Sequence, residues 1–154
     1  MRQLIQSYRT GEMKIEDVPP PSVRSGGVVV RTVRSLVSAG TEKMIVDLAR
    51  KSLLQKARSR PDLVRKVIDT ARKQGVMNAF QKVQSKLETP IPLGYSSAGI
   101  VVGVGENVHE YRVGDRVACA GAGYANHADY AYVPRNLLAR IPDGVSMEEA
   151  CFAT

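Results

Sequence analysis

The stretch that most constrains the fold runs from Pro90 to Val117 and reads PIPLGYSSAGIVVGVGENVHEYRVGDRV. Proline and glycine punctuate its start, and a run of small and β-branched residues follows from Ser97 to Val104. Such a run suits a strand pressed against a neighbouring backbone, where large side chains have no room. Gly103 and Gly105 bracket Val104, so a bulge or sharp bend is expected there, because glycine tolerates positive φ. Gly114-Asp115-Arg116 then turns the chain into a second apolar run, Val117 to Ala120. Taken alone, these are two strands and two turns of a β protein.

The flanking chain agrees with that class. Leu4 to Tyr8 reads as a short strand, and Met13 to Val18 alternates with period two, as a half-buried strand does. Pro19-Pro20-Pro21 stops any ladder, since proline has no N–H to donate, and Ser25-Gly26-Gly27 turns the chain into a β-branched strand, Val28 to Val33. Downstream, Ser146-Met147-Glu148-Glu149 has the spacing of a capping box that opens a helix.

Between Lys43 and Leu87 the periodicity changes to helical. Met44, Leu48 and Leu53-Leu54 mark one amphipathic piece. Ser59-Arg60-Pro61-Asp62 starts a second, with Ser59 near the N-cap, a stripe of Leu63-Val64, Val67-Ile68 and Ala71, and Gly75 as its C-terminal cap. A third runs from Val76 to Leu87, with Phe80, Val83 and Leu87 on one side. The charge sits here. Residues 42–88 hold 12 Lys/Arg and 5 Asp/Glu, which accounts for the whole net charge of +7, and the rest of the chain carries 10 of each sign. A basic amphipathic face can meet an anionic membrane or nucleic acid. It is more often a solvated surface whose apolar side docks on its own domain or on a partner, and nucleic acid is not the expected partner.

With 154 residues the chain can bury one core. No run of about 18 apolar residues exists to span a bilayer, and Met1-Arg2-Gln3 leads straight into a strand pattern with no hydrophobic signal region. The two cysteines, Cys119 and Cys151, stand in apolar contexts without metal-ligand spacing. They read as buried thiols in a reducing compartment, and the cytoplasm is the expected location.

Gly94, Gly99, Val101, Val104-Gly105 and Gly114-Asp115-Arg116-Val117 keep the order and register of a known signature. It is that of the medium-chain dehydrogenase/reductase superfamily, the zinc-type alcohol dehydrogenase-like proteins, whose pattern is G-H-E-x-x-G-x-V, then V-G, then G-D-R-V. Ala128 to Pro134 and Leu137 to Pro142 resemble its A-E-Y-x-x-V-P and following segments. The resemblance covers residues 1–42 and 90–154. It implies a mainly β fold, a GroES-like β-barrel across residues 1–154 with two or three helices inserted over 43–88. It further implies that residues 146–154 begin a linker helix towards a Rossmann domain absent from this chain. Gly99, Gly103 and Gly105 belong to the barrel, and no strand–G-x-G-x-x-G–helix follows.

The departures from the pattern shape the chemistry. Catalytic zinc needs three protein ligands and an open position. By resemblance those ligands fall at Ala39, Tyr95 and Thr154, none of them cysteine or histidine. The family's structural-zinc lobe is replaced by the short ACAGAGYANHA segment with only Cys119. The resemblance therefore implies the zinc-free branch. Tyr95 stands at the position of the zinc-binding histidine, Thr41 at that of the relay hydroxyl, and Ser96 beside Tyr95. These three are the candidate catalytic residues, with a packed ring and a helix cap as the structural alternatives for Tyr95 and Thr41. No metal ligand and no cofactor-binding residue is assigned in this chain. His109 reads as a solvated loop residue and His127 as a structural residue near the cleft.

What the resemblance implies for the longer protein is an NAD- or NADP-dependent oxidoreductase acting on a small-molecule alcohol or carbonyl, with a sugar derivative as one substrate class. This portion alone would be inactive, and a homo-oligomer is compatible with it. The alternative from another class is a non-catalytic binding module acting through the basic helices.

Overall fold

Two nine-residue strands, Gly27–Ser35 (β3) and Ser96–Val104 (β5), pair antiparallel and organise a five-stranded sheet. The structure is a computed structural model that describes residues 1–40, 42–44, 47, 55, 57–58 and 61–153. Around β3 and β5 lie Arg116–Ala120 (β6), Tyr130–Pro134 (β7) and Leu138–Arg140 (β8), in the order β7-β3-β5-β6-β8. Arg2–Gln6 (β1), Met13–Asp17 (β2) and Ile91–Pro92 (β4) form a second sheet in the order β2-β1-β4. Among the described residues β7 and β8 remain edges, so the expected barrel is realised as two open sheets.

The chain divides into two compact units. The first comprises Met1–Ile5, Lys14–Ser38 and Pro92–Thr154, and the second Gln6–Met13 and Ala39–Ile91. The first owns the main core. Val28, Val30, Val101, Val117 and Val133 are essentially solvent-free and pack with Val108, Cys119, Ala125 and Ala131. β-Branched side chains on a pleated surface interlock in this way, which is why the valine-rich segments become strands.

Small residues in β5 are dictated by the same packing. Gly99 lies opposite Thr32, and a Cβ on it would collide with the Arg31 carbonyl oxygen. The bulge is displaced from its expected place at Val104, which pairs in register with Val28: Val29 pairs with Gly103 and Val30 with Val101, so Val102 is the extra residue, and neither Gly103 nor Gly105 has a positive φ. A second cluster, Ala98, Ile141, Ala150 and Cys151, seats Met147–Ala150 (α3) against β5. Its capping box is complete, with the Ser146 hydroxyl accepting from the Glu149 N–H at 3.1 Å and the Glu149 carboxylate accepting from the Ser146 N–H at 2.9 Å.

In the second unit, Pro61–Gln74 (α1) and Val76–Glu88 (α2) are joined by Gly75 alone, at φ 89°. A positive φ ends one helix and starts the next within one residue, a step that glycine makes without strain. Ser59, Thr41, most of the Met44 to Leu54 stripe and Thr154 fall outside the described residues.

Two expectations are corrected. β2 has the predicted alternation, but Met13 and Ile15 face solvent and Glu16 is the half-buried residue, because β2 is the edge of its sheet and its apolar face is uncovered. In α2 the buried residue is Ala79, with Val83 and Leu87 half-buried, whereas Phe80 is 62% exposed. Helical spacing placed Phe80 on the apolar side, but the small Ala79 makes the close contact.

Candidate functional site

Tyr95 occupies the bend that leads into β5, and the backbone around it is held on three sides. Its carbonyl accepts the Gly121 N–H at 2.8 Å, and the next carbonyl, that of Ser96, accepts the Leu36 N–H at 3.0 Å. On the other side, Gly94 has φ 100° and stands so close to the 126–127 peptide that a Cβ would lie 2.6 Å from the His127 nitrogen. Only glycine satisfies both demands. Tyr95 is half-buried, and among the described residues its hydroxyl makes no hydrogen bond. The phenol is thus carried on a fixed backbone with its donor uncommitted.

Ser96 differs. It is 1% exposed, and its hydroxyl donates to the Cys151 carbonyl at 2.7 Å, tying β5 to the residue that ends α3. Its proton is engaged in that link. Beside it, Ser97 hydrogen-bonds the Cys119 thiol, yet burial pushes that thiol up to about 12. Cys119 is therefore an inert core residue, and both cysteines are buried and free, as expected.

His127 precedes β7 in a bend. Its N–H donates to the Leu93 carbonyl at 2.8 Å and its carbonyl accepts the Leu4 N–H at 2.8 Å. Its ring Nδ1 lies 2.9 Å from the Ser35 hydroxyl at the end of β3. The pair joins the end of β3 to the loop that touches Gly94, one peptide from Tyr95. Asn126, next to it, is 7% exposed, and its Oδ1 is buried without a hydrogen-bond partner. Sequence reasoning placed His127 near the cleft but not its link to Ser35, since the two are 92 residues apart and Ser35 has no distinguishing neighbour pattern. His109 is exposed in its loop, as expected.

The structure thus gathers Tyr95, Ser96, Ser35 and His127 in the first unit. Thr41 lies outside the described residues, so its proposed place near Tyr95 is not defined. At the ligand positions implied by resemblance, Ala39 offers a methyl group and Tyr95 a phenol, a donor set unsuited to zinc. Among the described residues no group of three His, Cys, Asp or Glu side chains converges. Gly99 and Gly103 lie inside β5 and Gly105 just after it, where a turn and not a helix follows. They cannot cradle a dinucleotide phosphate.

Comparisons with known proteins place this arrangement. Residues 66–143 match the family described as the alcohol dehydrogenase GroES-like domain. A low-reducing polyketide synthase, drtA, from Aspergillus calidoustus is 42% identical over 59 residues, 38% of this chain and 2% of that protein. Among solved structures, an alcohol dehydrogenase superfamily protein from Novosphingobium aromaticivorans aligns over 98% of this chain and 37% of its own, with TM-score 0.64 and 24% identity. Escherichia coli quinone oxidoreductase complexed with NADPH aligns over 100% of this chain and 37% of its own, with TM-score 0.62 and 18% identity. The chain therefore spans well under half the length of the structures it resembles. With the family match covering half of the chain and the fold shared throughout, the protein belongs to the alcohol dehydrogenase GroES-like domain family.

Proposed function

We propose that this chain forms the substrate side of a zinc-independent, NAD(P)-dependent oxidoreductase acting on an alcohol or carbonyl compound, with a sugar derivative among its substrate classes. In this reading residues 1–154 are one GroES-like domain, residues 43–88 are its helical insertion, and the dinucleotide is held by a separate domain. The nicotinamide, when bound, supplies or accepts the hydride. Its use by the quinone oxidoreductase is what suggests it here.

The observation that carries the reading is the setting of Tyr95. Its backbone is pinned by Gly121 and by the Gly94–His127 approach, while its hydroxyl is uncommitted. A positioned phenol can donate to a substrate oxygen as negative charge develops on it. Because the backbone that carries it is fixed, only rotation of the side chain is needed to make that interaction. Thr41 is assigned the relay hydroxyl. Ser96 acts through position, since its bond to Cys151 holds the first turn of β5 in place. His127 and Ser35 brace the loop against which Gly94 packs.

The test is an assay of the full-length protein after exhaustive chelation. NAD(P)H-dependent reduction of carbonyl substrates should survive, with substoichiometric zinc by elemental analysis. Activity lost on chelation and restored by zinc would contradict the zinc-independent reading.

A further inference from the structure

Three segments of the first unit meet at the Tyr95 bend. On the β3 side, Leu36 donates its N–H to the Ser96 carbonyl at 3.0 Å, so Val37, the next residue, lies beside the bend. On the β6 side, Gly121 donates its N–H to the Tyr95 carbonyl at 2.8 Å. Gly121 has φ 107°, and a Cβ on it would meet Leu137 Cδ1 at 3.0 Å and Tyr124 Cδ2 at 3.4 Å. The Tyr124 ring therefore lies against the residue that holds the Tyr95 carbonyl. Val37 is 68% exposed and Tyr124 40%, on either side of the half-buried Tyr95.

These segments are set apart by their lack of charge. Charged residues make up 24% of the chain, yet residues 36–38, 92–97 and 119–128 contain no Asp, Glu, Lys or Arg. Within them only His127 can carry a positive charge, and its Nδ1 lies 2.9 Å from the Ser35 hydroxyl. A substrate with an ionised group near its reacting carbon would bring that charge against an isopropyl group and a phenol ring. Desolvating a charge without a counter-ion is costly. Carboxylates and phosphates are ordinarily held by arginine forks or lysine ammonium groups, and these segments supply neither. A neutral substrate escapes that cost, and its apolar surface gains by covering Val37 and Tyr124.

We propose that Val37 and Tyr124 are specificity-determining residues that restrict the site to carbonyl compounds with no ionised group near the reacting carbon. Their role rests on the reading in which the Tyr95 phenol donates to the substrate oxygen. Two size-matched pairs of carbonyl compounds test it in the full-length protein with NADH or NADPH: ethyl pyruvate against pyruvate, and methyl 3-formylbenzoate against 3-formylbenzoate. Wild type should reduce each ester with a kcat/KM at least about tenfold above that of its acid. Val37→Lys and Tyr124→Lys each place a cation beside the bend, and each should raise kcat/KM for the acids and narrow the ratio about tenfold. Val37→Met, apolar and longer, should keep the wild-type preference for esters. Both sites are exposed, and unchanged circular dichroism checks that the variants fold. A wild-type ratio near one, or a ratio that either lysine variant leaves unchanged, would overturn the assignment. The catalytic reading fails separately, if no member of either pair is reduced. The ester–acid ratio is then read from binding by saturation-transfer NMR, where a preference for esters that the lysine variants narrow upholds the two walls. Equal binding of ester and acid, or no binding, overturns them.

Discussion

The same residue type meets opposite fates in the two units. Val28, Val101 and Val133 in the β unit have no exposed surface, whereas Val64 and Val67 on α1 are open to solvent. Both sets are spaced as their secondary structure requires. The difference is the partner. Each β valine faces another strand through a register fixed by main-chain hydrogen bonds, while Val64, Val67 and Ile68 of the helical stripe keep more than a third of their surface exposed. Periodicity reports the kind of element; it does not report what lies against it.

The sharpest way to break this contrast is to change one side chain in each unit. Gly99→Val should destabilise the β unit by at least about 3 kcal/mol or prevent folding, because the clash is with backbone and cannot be relieved by a rotamer change. Ile68→Ala on α1 should cost under about 1 kcal/mol, since little packing is lost at an exposed site. Urea unfolding of the two variants decides it, and equal losses would erase the distinction. Next comes Cys119. Its folded pKa is raised by burial to about 12, so the folded state holds this proton more tightly than the unfolded chain. Its contribution to stability is complete below the unfolded thiol's pKa of about 8.5 and declines as pH rises from there towards the folded value. The thiol should accordingly resist dithionitrobenzoate at pH 8 until the protein is unfolded, and rapid native labelling at Cys119 would show the core is open.

The smallest expected effect is at the capping box. Ser146→Ala should cost about 1 kcal/mol by removing the acceptor at the start of α3. Glu149 is held below the usual carboxylate range by the Ser146 N–H and then by the Ser146 hydroxyl. That contribution is present above the ordinary glutamate pKa and fades as pH falls through the lowered one, so the gap between wild type and variant should narrow in acid without closing, because the hydroxyl still accepts the Glu149 N–H. A variant as stable as wild type at neutral pH would mean that the seat of α3 on Ala98 and Ile141 suffices.

Much of the β unit was legible because its constraints are local or carried by glycine. The strands at Gly27–Ser35, Ser96–Val104 and Arg116–Ala120 and the capping box all follow from residues adjacent in the chain, whereas the bulge falls at Val102 and not at Val104. The exposure of Met13, Ile15 and Phe80 was not legible, since it depends on which surface reaches them. The candidate site divides in the same way. Tyr95 is marked by the signature around it, whereas the Ser35–His127 contact and the commitment of Ser96 to Cys151 join segments 92 and 55 residues apart in the chain. No sequence pattern announces either link.

The central claim is that the Tyr95 phenol, carried on a pinned backbone, donates to the substrate oxygen. Tyr95→Phe in the full-length protein keeps the ring and deletes only the donor. One oriented donor at a developing oxyanion is worth about 10²–10³ in kcat. We expect a loss of that size with KM little changed, and a smaller loss for Thr41→Val. If Tyr95→Phe leaves kcat within a few-fold of wild type and alters KM alone, Tyr95 is a wall of the cleft and the claim is wrong.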